Sequence, residues 1–248
     1  MARLIGNMDQ GSIGGGFKFS HIRTEQLGAS EYTLVTIAVD RTGSVGGFEK
    51  ELSKCIIASI DSCRKSPRAE NLLIRVILFS DYLPNGVQEI HGFKRLQDID
   101  PKEYENIDTG GGTPLYDAAY SAVAATNEYA KILYNDDFSS NGIVIIITDG
   151  CDNASVMSPK AVHDEIQKGI KGEFIESNIV LLIGINAAQY KTLLERFQLE
   201  AKIDKYIDAG DATPSKLAKL AEFIAQSVSS QSQALGTGGP SQTISATI

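Results

Sequence analysis

From about residue 32 the chain alternates between two textures. Four stretches, TLVTIAVD (33–40), LLIRVILFS (72–80), GIVIIITD (142–149) and NIVLLIGIN (178–186), are continuously apolar and rich in β-branched residues. Strands of that kind leave no face for water, so the pattern predicts parallel strands covered on both sides. Between them apolar positions recur every three or four residues. Phe48, Leu52, Cys55, Ile56, Ile60 and Cys63 form one helical stripe after the first strand. Further helices are predicted at 113–130, opening on Pro114, and at 158–170, 187–197 and 213–228, the last with Leu217, Leu220, Ile224 and Val228 in register. GVQEIHGFKRL (86–96) is half polar and only DYLPN separates it from its predecessor, which predicts an antiparallel hairpin edge.

These elements predict one α/β domain over residues 31–229, with a mainly parallel sheet and helices on both faces. Residues 1–30 are Gly-rich, with only FKFSHI (17–22) alternating like a short edge strand, and are expected to form an N-terminal arm. Residues 230–248, rich in Ser, Gly, Thr and Gln, are expected to be a flexible tail. No internal repeat is visible.

Composition narrows the function. Of 248 residues 31 are acidic and 23 basic, a net charge of −8, and no Lys/Arg block stands out, so nucleic acid is not expected as a partner. No apolar run approaches the roughly 18 residues of a membrane span. The first residues hold no apolar stretch resembling a secretory leader, so a cytoplasmic location is expected. Cys55, Cys63 and Cys151 are too few and scattered for a disulfide framework or a zinc site, and the three histidines are equally dispersed.

Ligands of open parallel sheets sit beyond the carboxyl ends of the strands. Asp40-Arg41-Thr42-Gly43-Ser44 follows the first strand, placing a carboxylate and two hydroxyls at every second position. Asp149-Gly150 follows GIVIIIT, and DTGGGTPLYDA (108–118) offers Thr113 from a Gly loop at a helix start. Five oxygen-bearing side chains on three loops suit a hard divalent cation, because Mg²⁺ takes six oxygens and keeps several waters. Two carboxylates with neutral hydroxyls leave the ion electrophilic toward an incoming carboxylate.

The segments IAVDRTGS, TGGGTPLYDA and IIITDGCDN resemble, in order and spacing, the three ligand segments of the von Willebrand factor A domain family with its metal-ion-dependent adhesion site. The resemblance assigns Asp40, Thr42, Ser44, Thr113 and Asp149 as metal ligands, and departs from the family pattern in having threonine at 42, where Asp-x-Ser-x-Ser places the first serine. It implies a three-layer, doubly wound, Rossmann-like α/β fold whose mainly parallel sheet has one antiparallel edge strand. It further implies a module that binds an Asp or Glu of a partner through Mg²⁺, with Mn²⁺ or Ca²⁺ as alternatives; the missing leader and the lack of a general base narrow this to a non-enzymatic adaptor like the intracellular members. An AAA+ ATPase or another complex subunit is the expected class of partner.

Nearby residues have plainer explanations. Asp117 suits the helix dipole; Asp152 and Asn153 are either water-holding groups or ordinary turn residues; Asp108 lies in a loop. Cys151 is a soft ligand that Mg²⁺ does not seek, and Arg41 is either a rim residue or a solvated one. Two other function classes remain open. A Mg²⁺-dependent phosphatase or phosphotransferase would use the strand-end Asp40, but carries a second acid where Thr42 stands. Self-assembly would dock a tail carboxylate into a neighbour's site. No histidine or lysine falls in the ligand loops to act as a general base.

Overall fold

A computed structural model describes residues 7–105 and 107–238. Eight strands form one sheet: β1 (Met8–Ser12), β2 (Lys18–Ile22), β3 (Glu31–Asp40), β4 (Leu72–Phe79), β5 (Val87–Arg95), β6 (Ser139–Thr148), β7 (Asn178–Gly184) and β8 (Lys205–Asp208). Five helices cover it: α1 (Glu49–Cys63), α2 (Leu115–Asn135), α3 (Pro159–Lys171), α4 (Lys191–Ala201) and α5 (Pro214–Gly236). The strand order is β1-β2-β5-β4-β3-β6-β7-β8. β3, β4, β6, β7 and β8 run parallel, and β5 pairs antiparallel with β4.

The alternation of a strand decides which helices it meets. Val35, Ile37 and Val39 of β3, with Ile143, Ile145 and Ile147 of β6, face the apolar stripes of α1 and α5. Ala38, Val144, Ile146 and Leu182 face α2, α3 and α4 on the other side. The α/β class, the mainly parallel sheet and the helices on both faces are thus as the pattern predicts. Ser158 and Thr213 cap α3 and α5 by accepting from Ala161 N–H and Lys216 N–H.

One strand lay beyond the pattern, and another, expected from FKFSHI, gained a partner. The four-residue edge strand β8 is half exposed and too short to register as a run. Residues 7–30 contribute a hairpin, β1 with β2, that joins β5 by the single parallel pair His21↔Phe93. It closes a third apolar cluster of Phe19, Ile22, Phe93, Tyr129 and Leu133. At the other end α5 continues to Gly236, with Ser232 and Ala234 buried; residues 1–6 of the expected arm and 239–248 of the expected tail lie outside the described residues. Among the described residues no helix is long and apolar enough to cross a membrane.

Candidate metal centre

β3 and β6 are central neighbours in the sheet. The chain leaves β3 through α1 on one face and enters β6 from α2 on the other, so a crevice opens at their carboxyl ends. Asp40 closes β3, and Thr148-Asp149 closes β6.

Main-chain hydrogen bonds gather the three loops. Gly43 N–H donates to Gly111 O (3.1 Å) and Gly110 N–H to Arg41 O (2.9 Å), which fastens the first loop to the Gly loop. Thr113 N–H donates to Asn153 Oδ1 (2.7 Å) while Asn153 N–H donates to Thr113 O (3.0 Å), fastening the Gly loop to the loop after β6. A fourth loop, after β4, takes part: Gly112 N–H donates to Asp81 Oδ1 (2.7 Å), Asp81 N–H returns a bond to Gly112 O (3.2 Å), and the Ser80 hydroxyl donates to Gly110 O. Gly111 must be glycine here. Its φ is +82°, and a Cβ would stand 2.2 Å from Asp81 Oδ1.

The side chains follow. Asp40 Oδ1 accepts from Thr42 N–H (2.8 Å) and its Oδ2 from the Thr148 hydroxyl (2.7 Å). Thr42 Oγ1 lies 3.1 Å from Ser44 Oγ, which donates to Asp149 Oδ1 at 2.8 Å. Thr113, buried, comes alongside at Gly150, where a Cβ would be 3.7 Å from Thr113 Oγ1. The structure therefore brings Asp40, Thr42, Ser44, Thr113 and Asp149 to one place, with Ser44 exposed and the other four buried. Burial pushes the Asp40 carboxyl up to about 6; the bonds from Thr42 and Thr148 oppose the shift and nearby Asp149 adds to it. Asp149 is also raised, again chiefly by burial, against its bond from Ser44.

This donor set fits a hard divalent cation: two carboxylates and three hydroxyls, with no sulfur or imidazole among them. Among the described residues no three His, Cys, Asp or Glu side chains cluster to hold a metal ion, so a cation here would depend on the hydroxyls as well as the two carboxylates. The neighbours settle into other tasks. Asp117 accepts from Val156 N–H and Met157 N–H, holding the loop before α3 in addition to sitting in the first turn of α2. Asp152 accepts from the Ser155 hydroxyl, and Asn153 clamps Thr113. Asp108 is exposed. Arg41 is half-buried, with its Nε shielded and unpartnered. Cys55 and Cys63 are core residues whose thiols burial pushes up to about 12. Sequence reasoning missed Ser80 and Asp81, although they follow a parallel strand and the strand-end rule applies to them equally.

No family model and no curated relative matches the chain. Solved structures do. The von Willebrand domain of the type V pili tip protein Mfa5 from Porphyromonas gingivalis superposes with a TM-score of 0.52 at 12% identity, over 89% of this chain and 99% of that one. The chain has the von Willebrand factor A fold. Proximal thread matrix protein 1 from the mussel byssus matches at TM-score 0.59 and 19% identity, over 81% of this chain and 48% of that one. The pilus adhesin SpaC from Lactobacillus rhamnosus GG matches at 0.58 and 13%, over 82% and 31%. The chain therefore spans about half of the byssus chain and a third of the adhesin. A structure of the byssus protein has a zinc-occupied metal-ion-dependent adhesion site.

The cytoplasmic location expected from the sequence is contradicted by these neighbours, which are pilus and byssus proteins. The expectation rested on a missing apolar run, and an absent segment carries no positive information about where a chain works.

Proposed function

We propose that this A domain is a metal-dependent adhesion module. Asp40, Thr42, Ser44, Thr113 and Asp149 would hold a divalent cation, Mg²⁺ by the hardness of the donors, and that cation would bind the carboxylate of an Asp or Glu on a partner protein. The observation that carries this reading is the convergence of three loops, fastened through Gly43, Gly110 and Thr113, on five oxygen-bearing side chains. When bound, the ion supplies an open, electrophilic coordination position. The chain's own residues do the rest: Thr42 N–H and Thr148 orient Asp40, and exposed Ser44 bridges Thr42 to Asp149.

Binding without turnover is favoured by where the potential bases lie. His21 and His91 are buried on β2 and β5, and His163 sits on α3, so none belongs to the three ligand loops. The pilus and byssus neighbours favour a partner in a surface assembly over an ATPase. Calorimetry with Mg²⁺ and Mn²⁺ tests the site. The wild type takes up one ion, and Asp149→Ala loses at least about 100-fold in affinity, since even groups behind the ligands are worth 10–100-fold. Capture of a Glu-bearing peptide then disappears with EDTA. Absence of ion uptake by the wild type, or chelator-insensitive capture, refutes the reading.

A further inference from the structure

Beside the metal centre lies a second, smaller feature with its own chemistry. A cavity of about 160 Å³ opens between the start of α2 and the outer side of α4, lined in part by Tyr116, Cys151, Asp152, Arg196, Phe197 and Glu200. Cys151 is two residues from Asp149 and Tyr116 three from Thr113, so the cavity adjoins the ligand loops without sharing a ligand.

Its charge is unbalanced. Arg196 Nε pairs with Glu200 Oε1 at 2.7 Å, one turn apart on α4, and the two cancel. Asp152 has no such counterpart. It accepts from the Ser155 hydroxyl and weakly from Tyr116 N–H (3.4 Å), and among the described residues no Lys, Arg or His lies within ion-pair distance of it. A half-buried carboxylate served only by neutral donors still favours a cation. Tyr116 and Phe197 also line the cavity, the half-buried Tyr116 ring lying against the buried Phe197 with centroids 4.6 Å apart at 42°. Aromatic faces beside a carboxylate attract ammonium groups, and the volume is that of one long side chain.

We propose that this cavity is a subsite for a lysine side chain of the partner protein, reading a base carried near the acid that the metal takes. It rests on the adhesion reading for its place in recognition, though not for its own chemistry. Cys151 and Tyr116 tie the cavity to the ligand loops, so the lysine is sought one, two or three positions from the acid, a span of up to about 10 Å of extended chain.

The probe is a set of end-blocked glycine peptides carrying one Glu and, one, two or three residues away, either Lys or norleucine. With Mg²⁺ present, the best Lys peptide binds about tenfold more tightly than its norleucine counterpart. The advantage vanishes in Asp152→Asn, which keeps the acceptor for Ser155. A Lys peptide without Glu, titrated at millimolar concentration, shifts the backbone amide NMR signals of Tyr116, Cys151 and Asp152, whereas the norleucine version does not. Equal affinities for Lys and norleucine peptides, with no lysine-dependent shifts, overturn the subsite. Lysine-dependent shifts combined with EDTA-insensitive peptide affinity sustain the subsite and sink the metal-adhesion reading instead.

Discussion

The residue that discriminates best between a metal centre and a mere loop junction is Ser44. It is exposed, so its hydroxyl adds nothing to the core, yet it meets Thr42 and reaches Asp149, 105 positions further along the chain. Ser44→Ala is expected to weaken Mg²⁺ binding about tenfold while changing unfolding free energy by less than about 0.5 kcal/mol, as exposed substitutions generally do. Calorimetry and denaturant melts on one preparation separate the two effects. Thr42 is different in kind. Its side chain is buried, and the methyl that distinguishes it from the family's serine points to a site where packing and ligation share one residue. The pattern Asp-x-Thr-x-Ser was legible in the sequence because three ligands fall on one short loop. Asp81 was not, because its role is to hold the main chain of Gly112, and a carboxylate used that way has no spacing signature.

Among the elements the N-terminal hairpin is the one whose attachment needs explaining, since a single backbone pair ties β2 to β5. Side chains and a missing side chain make up the difference. Glu89 accepts from both Ser20 N–H (3.1 Å) and the Ser20 hydroxyl (2.6 Å), and holds the fully buried Arg75 at 2.6 Å. His21 lies between Phe19 and Tyr129, with centroids 5.4 and 4.6 Å away. Gly92 makes the approach possible: a Cβ there would stand 2.0 Å from Ser20 O, inside the main chain of β2. Gly92→Ala is therefore expected to lift the hairpin and destabilise the domain by about 2–3 kcal/mol, the upper range for overpacking. A lower denaturant midpoint with faster amide exchange in β1 and β2 verifies it; unchanged exchange there refutes it. In the sequence only the alternation of FKFSHI marked this element, because its partners lie some 70 positions away.

At the scale of the whole molecule the buried imidazoles set a pH dependence. His91 is enclosed, its Nδ1 bonded to Gly92 O and its Nε2 to the Tyr104 hydroxyl. Burial, with Lys94 and Arg75 nearby, lowers its pKa from 6.5 to about 3, and burial lowers His21 in the same direction. The unfolded chain then binds more protons than the folded one below 6.5. Stability is complete above that value and is lost as pH falls toward 3. For His91 alone the loss between neutral pH and pH 5 is about 2 kcal/mol. Asp40, raised from 3.8 to about 6, acts with the opposite sign: it favours the fold at low pH and ceases to as pH rises through 6. In thermal melts from pH 5 to 8, His91→Gln, which keeps an acceptor for Tyr104, is expected to gain less stability with rising pH than the wild type, because the carboxyls raised by burial remain while the buried imidazole is gone. An unchanged slope in the variant refutes the assignment.

The sequence by itself determined the layered architecture and the identity of the candidate ligands. Both are written in local periodicity: continuous apolar runs that leave no wet face, helical stripes between them, and oxygen-bearing residues at strand ends. Only the tertiary structure decided that three distant loops meet, that Ser80, Asp81 and Asn153 hold them, and that an uncompensated Asp152 lines a cavity alongside. Those facts are absent from any short window of chain, because hydrogen bonds between loops and the balance of buried charge depend on which surfaces folding brings together.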